Sequence, residues 1–339
     1  MTPASQSPRI LFIHHGLSPF IQLDLGLLRS IGEATDLRLE SPLRVQPRRI
    51  AAAVRDHDLV FGWFASWHTF LPFLFARLSD TPSILVIGGY DVARLPEIGY
   101  GHQRGGLKRW LSRWTMNMAS RLVTFSHFSQ EEAGRNAGIQ PERVGVIPLG
   151  IPDPFKKLPP LSRRQMALTV GNVERSNLWR KGHEPFVRAA AHLPQMEFVL
   201  AGEWQDRAID RLKKIASPNV AFPGRVNDDE LLRLYQEAAV YVQPSRHEGF
   251  GMSVAEAMLA GCIPVVTRLG ALPEVVGDAG VYLPNTTPEA VAEGIRSATG
   301  AGEDLRSRAR KRILDEFPLA KRGQALADLV HQLLTEQRP

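Results

Sequence analysis

The most chemically suggestive stretch of the sequence is residues 244–258, where two glutamates frame a glycine-rich turn. Glu248 lies in the turn, and Glu256 follows after seven intervening residues. Gly249 and Gly251 lack a Cβ atom, so a ligand can approach the backbone closely. The free N–H groups of a helix that begins at this turn favour an anion. We therefore expect a phosphate site between two hydroxyl-binding carboxylates, which suits a sugar joined to a nucleotide.

A strand and a helix must position this turn. Residues 238–242 are apolar and predict a buried strand, and residues 251–260 predict a helix. A strand, a glycine turn and a helix N-terminus in this order form a phosphate-binding unit. Sheets built from such units bind their ligands at the carboxyl ends of the strands.

The same alternation of strands and helices recurs along the whole chain. Apolar segments separated by helical periodicity predict an α/β fold with doubly wound parallel sheets. A proline-rich segment, residues 148–160, divides the pattern into two halves and marks a linker. Strands are expected at 9–14, 36–39, 59–64, 83–87, 122–125 and 144–147 in the first half and at 166–170, 197–201, 220–222, 240–242, 263–266 and 280–283 in the second.

Composition narrows the class of protein. The 339 residues suit two domains at roughly 100–200 residues each. The net charge of +6 is spread along the chain without the interleaved aromatics of a nucleic-acid binder. The single cysteine, Cys262, builds no disulfide and no cysteine metal site, which fits a reducing compartment. Residues 1–8 lack the apolar core of a signal peptide, so we expect a cytoplasmic protein.

One uncharged segment has a length near the minimum that spans a membrane. Residues 59–76 contain no Asp, Glu, Lys or Arg, and a spanning helix needs roughly 17–25 apolar residues. Gly62 and Pro72 interrupt the segment, which divides into a strand and a helix. We therefore expect a buried strand and helix rather than a membrane span.

The second half resembles a known family. Residues 248–251 (Glu-Gly-Phe-Gly), 256–266 and 270–276 resemble the signature of retaining glycosyltransferase family 4, the glycosyl transferases of group 1. This signature pairs two glutamates separated by seven residues, as Glu248 and Glu256 are. The resemblance implies a GT-B fold, with two facing Rossmann-like domains and a cleft between them. It also implies a retaining enzyme that moves a sugar from a nucleotide-sugar donor to a glycan, lipid-linked or other hydroxyl acceptor.

The resemblance further implies a division of labour between domains. Residues 1–152 would form the acceptor-side domain and residues 153–317 the donor domain. The last helix, within residues 318–339, would pack back on the first domain. The chemistry needs no cofactor, and the sequence has no Asp-x-Asp pair suited to Mg²⁺, so we expect no metal.

Donor-site roles follow from the same resemblance. Glu248 would bind hydroxyls of the donor sugar, and Glu256 would hold the ribose. Lys181 would neutralise the diphosphate, and Gly16 would approach it from the first half. Backbone groups of a turn after the third strand of the second half would read the base. The implied catalytic and donor-binding residues are Glu248, Lys181, Gly16, Arg225, Val226, Gly249, Phe250, Gly251, Met252 and Glu256.

Two positions depart from the family pattern. Asn172 stands where the family usually has an arginine, and Arg175 or Arg180 could supply the missing charge. Gly88 stands where many members have a histidine. The polar residues left near strand ends of the first half, as acceptor-side candidates, are Asp91, His68, His14 and His15.

These departures keep other functions open. A nucleotide-sugar 2-epimerase or a non-catalytic GT-B relative is compatible with Gly88. An NAD-dependent oxidoreductase needs Gly-x-Gly-x-x-Gly after the first strand, and residues 15–18 lack it. A basic, aromatic helix at residues 106–120 is compatible with peripheral contact to the inner face of a membrane or with packing in the core.

Overall fold

The structure, a computed structural model, describes residues 7–44, 46–159 and 161–336, which form two compact units. The N-terminal unit contains the residues up to Gly150 together with those from Leu319 onward, and the C-terminal unit is Ile151–Pro318. Within the described ranges, each unit is built on a parallel sheet of six strands flanked by helices. The expected α/β class with two doubly wound sheets is confirmed.

The strands are mostly buried on both sides, as parallel strands covered by helices are. The N-terminal sheet has the order β2-β1-β3-β4-β5-β6, and the C-terminal sheet has the order β12-β11-β10-β7-β8-β9. The strands are β1 Arg9–His14, β2 Glu33–Arg38, β3 Leu59–Trp63, β4 Ser83–Val86, β5 Arg121–Thr124, β6 Val144–Val146, β7 Arg164–Val170, β8 Glu197–Ala201, β9 Val220–Gly224, β10 Ala238–Gln243, β11 Ile263–Thr267 and β12 Val281–Leu283.

Helices connect these strands and cover the sheets. They bury one side of each helix against apolar cores that are centred on β1, β3 and β4 in one unit and on β7, β8 and β10 in the other. The helices are α1 Pro19–Ile31, α2 Pro47–Arg55, α3 Trp67–Leu78, α4 Gly106–Met118, α5 His127–Glu132, α6 Arg175–Arg180, α7 His183–Ala189, α8 Ala208–Ile215, α9 Asp228–Glu237, α10 Met252–Leu259, α11 Leu272–Val276, α12 Pro288–Gly300, α13 Gly302–Glu316 and α14 Leu319–Glu336.

The strand order creates a switch point in each sheet. The chain leaves β1 for β2 on one side and returns to β3 on the other, and it leaves β7 for β8 and later returns to β10. In sheets of this kind, ligands bind beyond the carboxyl ends of the strands at such a switch. The turn before α10 follows β10, so it lies at the switch point of its unit.

A buried ion pair fastens α14 to the N-terminal unit. Two guanidinium nitrogens of Arg322 donate to the two carboxylate oxygens of Asp24, each at 2.6 Å. The third nitrogen donates to the carbonyls of Ile147 and Pro148, and the Trp63 indole donates to Asp24 at 3.1 Å. Bidentate pairs of this kind fix geometry as well as energy. Arg322 lies on α14 and Asp24 on α1, so this buried pair joins the last helix to the N-terminal unit.

The structure corrects several expected element bounds. β2 begins at Glu33 rather than residue 36, because this edge strand is mostly exposed and polar, so its sequence lacks an apolar run. The helix expected at residues 106–120 ends at Met118, and the helix expected at residues 251–260 spans Met252–Leu259. Residues 59–76 form β3 and most of α3, as expected. Among the described residues, no helix has the length and apolar character to cross a membrane.

Candidate active site

The turn between β10 and α10 is held open by glycines. Gly251 caps α10 with a φ of +104°, a conformation that side chains rarely adopt. A Cβ on Gly251 would also lie 3.0 Å from Leu272 Cδ2. Since α10 begins at Met252, the first N–H groups of the helix follow this turn directly. The expected glycine turn and helix N-terminus are therefore both present at the carboxyl end of β10.

A second glycine fixes the backbone of Glu248. Gly270 has a φ of +65°, and a Cβ there would lie 2.5 Å from the Glu248 carbonyl oxygen. The next residue, Ala271, donates its N–H to the same carbonyl at 2.8 Å. The segment at residues 270–276 therefore braces the turn, which gives a structural reason for its place in the signature.

The Glu248 carboxylate is held by two side chains. Lys181 Nζ lies 3.3 Å from Glu248 Oε2, and Gln243 Nε2 donates to the same oxygen at 2.8 Å. The Lys181 and Glu248 side chains are only 17% and 15% exposed. Burial alone would raise the pKa of Glu248, but the charges of Lys181 and Arg180 hold that pKa below its ordinary value. Glu248 is thus a carboxylate anion that faces a lysine.

Gln243 is a site residue that the sequence reasoning missed. It is the last residue of β10 and is 1% exposed. Its Oε1 accepts from the Tyr241 hydroxyl at 3.2 Å, while its amide nitrogen holds Glu248. The available signal was a polar residue at the end of an otherwise apolar strand. Gln243 orients the Glu248 carboxylate.

Glu256 lies one turn inside α10 with a different environment. The Tyr235 hydroxyl donates to Glu256 Oε2 at 3.0 Å. Burial raises the pKa of Glu256 to about 7 despite this hydrogen bond, and the charge of Asp228 acts in the same direction. The two glutamates of the turn therefore differ in protonation: Glu248 is ionised, whereas Glu256 changes its charge near neutral pH.

Lys181 reaches Glu248 from a tight turn between α6 and α7. Gly182 has a φ of +72°, and a Cβ there would lie 2.3 Å from the Pro244 carbonyl oxygen. Only glycine therefore allows the Lys-Gly turn to lie against the start of residues 244–251. This close approach brings two segments that are far apart in sequence into one site.

The structure also locates the two arginines near Asn172. Arg180 is buried, and Asn177 Oδ1 accepts from its Nε and Nη2 at 3.1 and 2.6 Å. Its charge contributes to the lowered pKa of Glu248. Arg175 is exposed, and its backbone N–H donates to Asp206. Asn172 is exposed and uses its carbonyl to hold Asn177. Of the two candidate arginines, Arg180 is the one whose charge acts on Glu248.

The expected base-reading turn follows β9. Arg225 is exposed and Val226 half-buried, directly after Gly224. A Cβ on Gly224 would be 3.7 Å from the Trp204 ring, so this indole packs against the turn. Trp204 is 42% exposed and is covered on one side by Lys213 Nζ, 4.1 Å from its ring centroid. The sequence reasoning missed Trp204, although an aromatic residue after a strand end was a visible signal.

In the N-terminal unit, Asp91 is bonded to backbone. Its carboxylate oxygens accept the N–H groups of Ala65 and Gly88, each at 2.8 Å, and the side chain is 1% exposed. Burial raises the pKa of Asp91 to about 7 against the lowering effect of these N–H groups. The carboxylate ties together the loops after β3 and β4, which leaves little of it for a ligand.

Gly88, the position of the missing histidine, has no room for a side chain. It has a φ of +146°, and a Cβ there would lie 2.5 Å from the Phe125 ring. Phe125 in turn stacks on Trp63 with centroids 6.1 Å apart. An aromatic ring thus fills the volume that a family histidine would need.

Histidines gather near the carboxyl ends of β1 and β3. His68 is buried with Nε2 2.9 Å from the Trp63 carbonyl oxygen, and burial lowers its pKa to about 4, so its ring is neutral. The exposed His15 ring lies 5.9 Å from His68, and buried His14 lies 3.4 Å from Asp36. Gly16 borders open space, with no atom within 4 Å of a Cβ built there.

Neither sheet has a metal site at the carboxyl ends of its strands, among the residues that the structure describes. No group of three or more His, Cys, Asp and Glu side chains in those ranges is arranged to hold an ion. Lys181 and Arg180 place positive charge beside Glu248, where an anionic ligand would meet it.

Comparisons with known proteins agree with this architecture. A family model described as glycosyl transferases group 1 matches residues 164–299, and one described as a glycosyl transferase 4-like domain matches residues 8–150. O-antigen chain mannosyltransferase B of Escherichia coli is 27% identical over 280 residues, which cover 76% of this chain and 70% of that protein. A glycogen synthase of Mycobacterium tuberculosis is 29% identical over 261 residues, covering 70% and 62%.

Other relatives match over shorter stretches. The gpi3 subunit of phosphatidylinositol N-acetylglucosaminyltransferase from Schizosaccharomyces pombe is 28% identical over 180 residues, which span 49% of this chain and 38% of that protein. Among solved structures, HepE of Anabaena in complex with UDP and glucose has a TM-score of 0.78 at 17% identity and covers 96% of this chain and 100% of that one. The fold is therefore GT-B. With family models over both units and the glutamate signature in place, this chain belongs to the group 1 glycosyltransferases.

Proposed function

We propose that this chain transfers a sugar from a nucleotide-sugar donor to a hydroxyl acceptor with retention of configuration at the anomeric carbon. The observation that carries the proposal is the Lys181–Glu248 pair, 3.3 Å apart at the glycine turn before α10. It joins a cation suited to a diphosphate with an anion suited to sugar hydroxyls. Both groups lie at the switch point of a doubly wound sheet, where such ligands bind.

The two members of this pair would act on different parts of the donor. Glu248 is ionised, so it accepts hydrogen bonds from donor sugar hydroxyls. Lys181 would leave Glu248 for the diphosphate and stabilise the negative charge that develops on it. The N–H groups at residues 249–252 add the positive end of the α10 dipole at the same place.

The reaction requires no protein nucleophile. The bond between the anomeric carbon and the diphosphate oxygen breaks, and the acceptor hydroxyl attacks from the side of the leaving group. The hydroxyl proton passes to the departing phosphate oxygen, so the products are a glycoside and a nucleoside diphosphate. Lys181 and Arg180 would supply the charge that lets the diphosphate leave.

The nucleoside would lie along the other side of the turn. Glu256, with its pKa of about 7, would receive the ribose hydroxyls. Backbone groups of Arg225 and Val226 would read the base, and Trp204 would give the base an aromatic wall. This arrangement assigns one feature of the C-terminal unit to each part of a nucleotide sugar.

Related proteins support this donor class. HepE of Anabaena has been solved with UDP and glucose and with UDP-glucose. The relative in Escherichia coli is named for mannosyl transfer to an O-antigen chain. We therefore propose a nucleotide sugar as donor, a glycan or lipid-linked acceptor, and a role in polysaccharide or glycolipid synthesis. A cytoplasmic location and contact with the inner face of a membrane belong to the same proposal.

A thermal-shift panel tests the donor proposal directly. Nucleoside diphosphates and nucleotide sugars are each added to the protein, and a ligand that binds the native state raises Tm. The best donor is then tested for release of nucleoside diphosphate with Glu248→Gln and Glu256→Gln variants. Glu230→Gln serves as a control, because Glu230 is paired with Arg233 on the outer side of α9. Unchanged donor binding and turnover in both site variants would contradict the proposal.

One observation favours a second function. Phe125 fills the volume at Gly88 where many family members carry a histidine, so acceptor chemistry that relies on that histidine is absent here. A nucleotide-sugar 2-epimerase-like activity, or binding without catalysis, is compatible with this difference. Incubation with the best donor and no acceptor separates the cases, because an epimerase changes the sugar whereas a transferase waits for its acceptor.

A further inference from the structure

Helix α4 presents an exposed apolar side, which we name the α4 face: Leu107, Trp110 and Trp114. These side chains are 70%, 46% and 51% exposed. Their spacing of three and four residues puts them on one side of the helix. The other side of α4 is buried against its own unit through Ser112, Thr115 and Met116. The aromatic residues are therefore not the core-facing side of this helix.

The aromatic rings pack on one another at the surface. The Trp110 and Trp114 centroids are 5.2 Å apart, and Phe70 of α3 lies 5.7 Å from Trp110. The α4 face thus continues onto the neighbouring helix. Large exposed aromatics in a cluster mark an interaction surface more than scattered apolar side chains do.

The charge around the α4 face is entirely positive in the sequence segments that build it. Neither α3 nor α4 contains an Asp or Glu, and residues 98–130 contain none. Lys108 and Arg104 are exposed, and Arg109 is half-buried beside them. Arg113 is turned inward and donates to the Asn136 carbonyl at 2.8 Å. A partner for this surface must therefore accept aromatic rings and carry negative charge.

We infer that the α4 face binds the surface of an anionic lipid bilayer. Trp is enriched at the headgroup level of membranes because its ring is apolar and its N–H is polar. A helix that lies on a bilayer combines such residues with Lys and Arg that meet anionic headgroups. Trp110 and Trp114 provide the first property, and Lys108 and Arg109 provide the second.

The position of α4 relates this surface to the acceptor. In a parallel sheet with connecting helices, each helix begins near the carboxyl ends of the strands. His68 and Phe70 both lie in the first turn of α3, and the Phe70 ring centroid lies 5.7 Å from that of Trp110 in the α4 face. The α4 face therefore extends from the edge that holds the acceptor-side candidates. Resting on the proposed transferase function, this proximity identifies the acceptor class as lipid-linked.

Vesicle sedimentation tests the inference without any donor or acceptor. The full chain is mixed with vesicles of equal parts phosphatidylglycerol and phosphatidylcholine, or of phosphatidylcholine alone. We expect binding to the anionic vesicles that weakens as salt screens the charges. The Trp110→Ser/Trp114→Ser variant should bind more than tenfold more weakly. The Lys108→Glu/Arg109→Glu variant should also bind the anionic vesicles more than tenfold more weakly, because each basic side chain lost reduces binding by roughly fivefold or more.

Matched variants from the C-terminal unit provide the controls. Trp204→Ser removes a tryptophan of similar exposure, 42%, and Lys213→Glu reverses the charge of an exposed lysine. Both should sediment with vesicles as the wild type does. Three outcomes would overturn the inference. The control variants could lose as much binding as the α4 variants, or the wild-type protein could stay in the supernatant. The wild-type protein could also bind polyglutamate in solution but not the anionic vesicles. If the tryptophan variant does not fold, the charge-reversal variant decides, because Lys108 and Arg109 form no hydrogen bond or ion pair among the described residues.

The outcome does not depend on the transferase proposal. The vesicle assay contains no nucleotide, so its failure removes the membrane surface and leaves the donor site untouched. Conversely, vesicle binding with no thermal shift from any nucleotide or nucleotide sugar would keep the membrane surface and remove the donor proposal.

Discussion

The two sheets share strand number, parallel order and a switch point, yet their carboxyl edges use acidic side chains differently. In the C-terminal unit, the Glu248 carboxylate meets two side chains, Lys181 and Gln243. In the N-terminal unit, the Asp91 carboxylate meets the backbone N–H groups of Ala65 and Gly88. Both acids follow strands in the sequence, but only Glu248 belongs to the two-glutamate signature. Because its partners are side chains, Glu248 can bind a ligand. Because its partners are backbone groups, Asp91 holds two loops together.

The difference is one of mobility. A lysine side chain can rotate away from Glu248 when a diphosphate arrives, and the carboxylate can then serve hydroxyl groups. Backbone N–H groups have no such freedom, because moving them moves the loops after β3 and β4. Withdrawing Asp91 would leave two buried donors without an acceptor, which costs far more than exchanging partners does. A site therefore needs polar groups whose hydrogen bonds are exchangeable.

Asp91→Ala should give the largest effect on stability. Each buried N–H group left without an acceptor costs about 1–3 kcal/mol, so the free energy of unfolding should fall by roughly 2–6 kcal/mol. Chemical denaturation of the variant measures this loss. The same substitution at Glu248 should cost less, because Gln243 and Lys181 can find other partners there.

Asp91→Asn is the matched control for that substitution. The amide keeps one oxygen, which can accept one of the two N–H groups, so we expect a loss near half that of Asp91→Ala. If Asp91→Ala unfolds at the wild-type denaturant concentration but abolishes turnover, Asp91 is a ligand group, and the contrast between the two edges is wrong.

The sequence predicted only part of this contrast between the two acids. The sequence did predict the Glu248 turn, because glycines, both glutamates and a preceding apolar strand fall within a short stretch. Its neighbour Lys181 was identified only through family resemblance. The contact between them depends on Gly182 lying against Pro244, a long-range packing detail that no local pattern encodes.

In the N-terminal unit, sequence reasoning predicted even less of the side-chain packing. The sequence showed that Gly88 replaces a histidine, but the occupation of that volume by Phe125 comes from packing between β4 and β5. Neighbouring charges also decided the chemistry of the titratable groups. Burial acts to raise the pKa of both Glu248 and Glu256, but only Glu248 has Lys181 and Arg180 beside it to lower that pKa. Periodicity predicts which elements form, whereas side-chain environments follow from how distant elements meet.

Lys181→Ala should reduce turnover by about 10²–10³-fold, or roughly 3–4 kcal/mol in the barrier, as loss of one charge-stabilising group does. The free energy of unfolding should fall as well, because Glu248 loses a charge that lowers its pKa and keeps only the hydrogen bond from Gln243. Release of nucleoside diphosphate from the best donor measures the effect. Lys311→Ala is the control, since Lys311 is exposed and pairs with the exposed Asp315 one turn further along α13. Equal turnover in both variants would remove Lys181 from the reaction.

Glu256→Gln should change how stability depends on pH. Burial raises the pKa of Glu256 from 4.5 to about 7 in the native state. The native state therefore binds more protons than the unfolded chain between these values, and wild-type stability falls as pH rises through that window. The loss amounts to about 3 kcal/mol by pH 7, since each pKa unit corresponds to roughly 1.4 kcal/mol.

Glutamine carries no charge at any pH, so the variant escapes this loss. Denaturant unfolding at pH 5 and pH 8 measures the effect. Between these pH values, the free energy of unfolding of the variant relative to that of the wild type should rise by roughly 2–3 kcal/mol. Glu230→Gln should show no gain, because Arg233 lowers the pKa of that exposed carboxyl. Parallel pH curves for wild type and Glu256→Gln would mean that Glu256 stays ionised throughout.

Trp204→Ala should have the smallest effect and should act only on the base. Loss of an aromatic wall for one base costs about 1 kcal/mol, or roughly fivefold in Kd. Titration calorimetry with the best nucleoside diphosphate measures this change, and inorganic pyrophosphate provides the comparison. Trp204→Ala should leave pyrophosphate binding unchanged, whereas Lys181→Ala should weaken both ligands, since its charge meets the diphosphate in each. Trp204→Phe keeps a ring against Gly224 and should recover most of the affinity. If Trp204→Ala instead weakens pyrophosphate and nucleotide equally, the indole does not act on the base. Its packing against Gly224 then supports the C-terminal unit structurally, as the hydrogen bonds of Asp91 support the N-terminal unit.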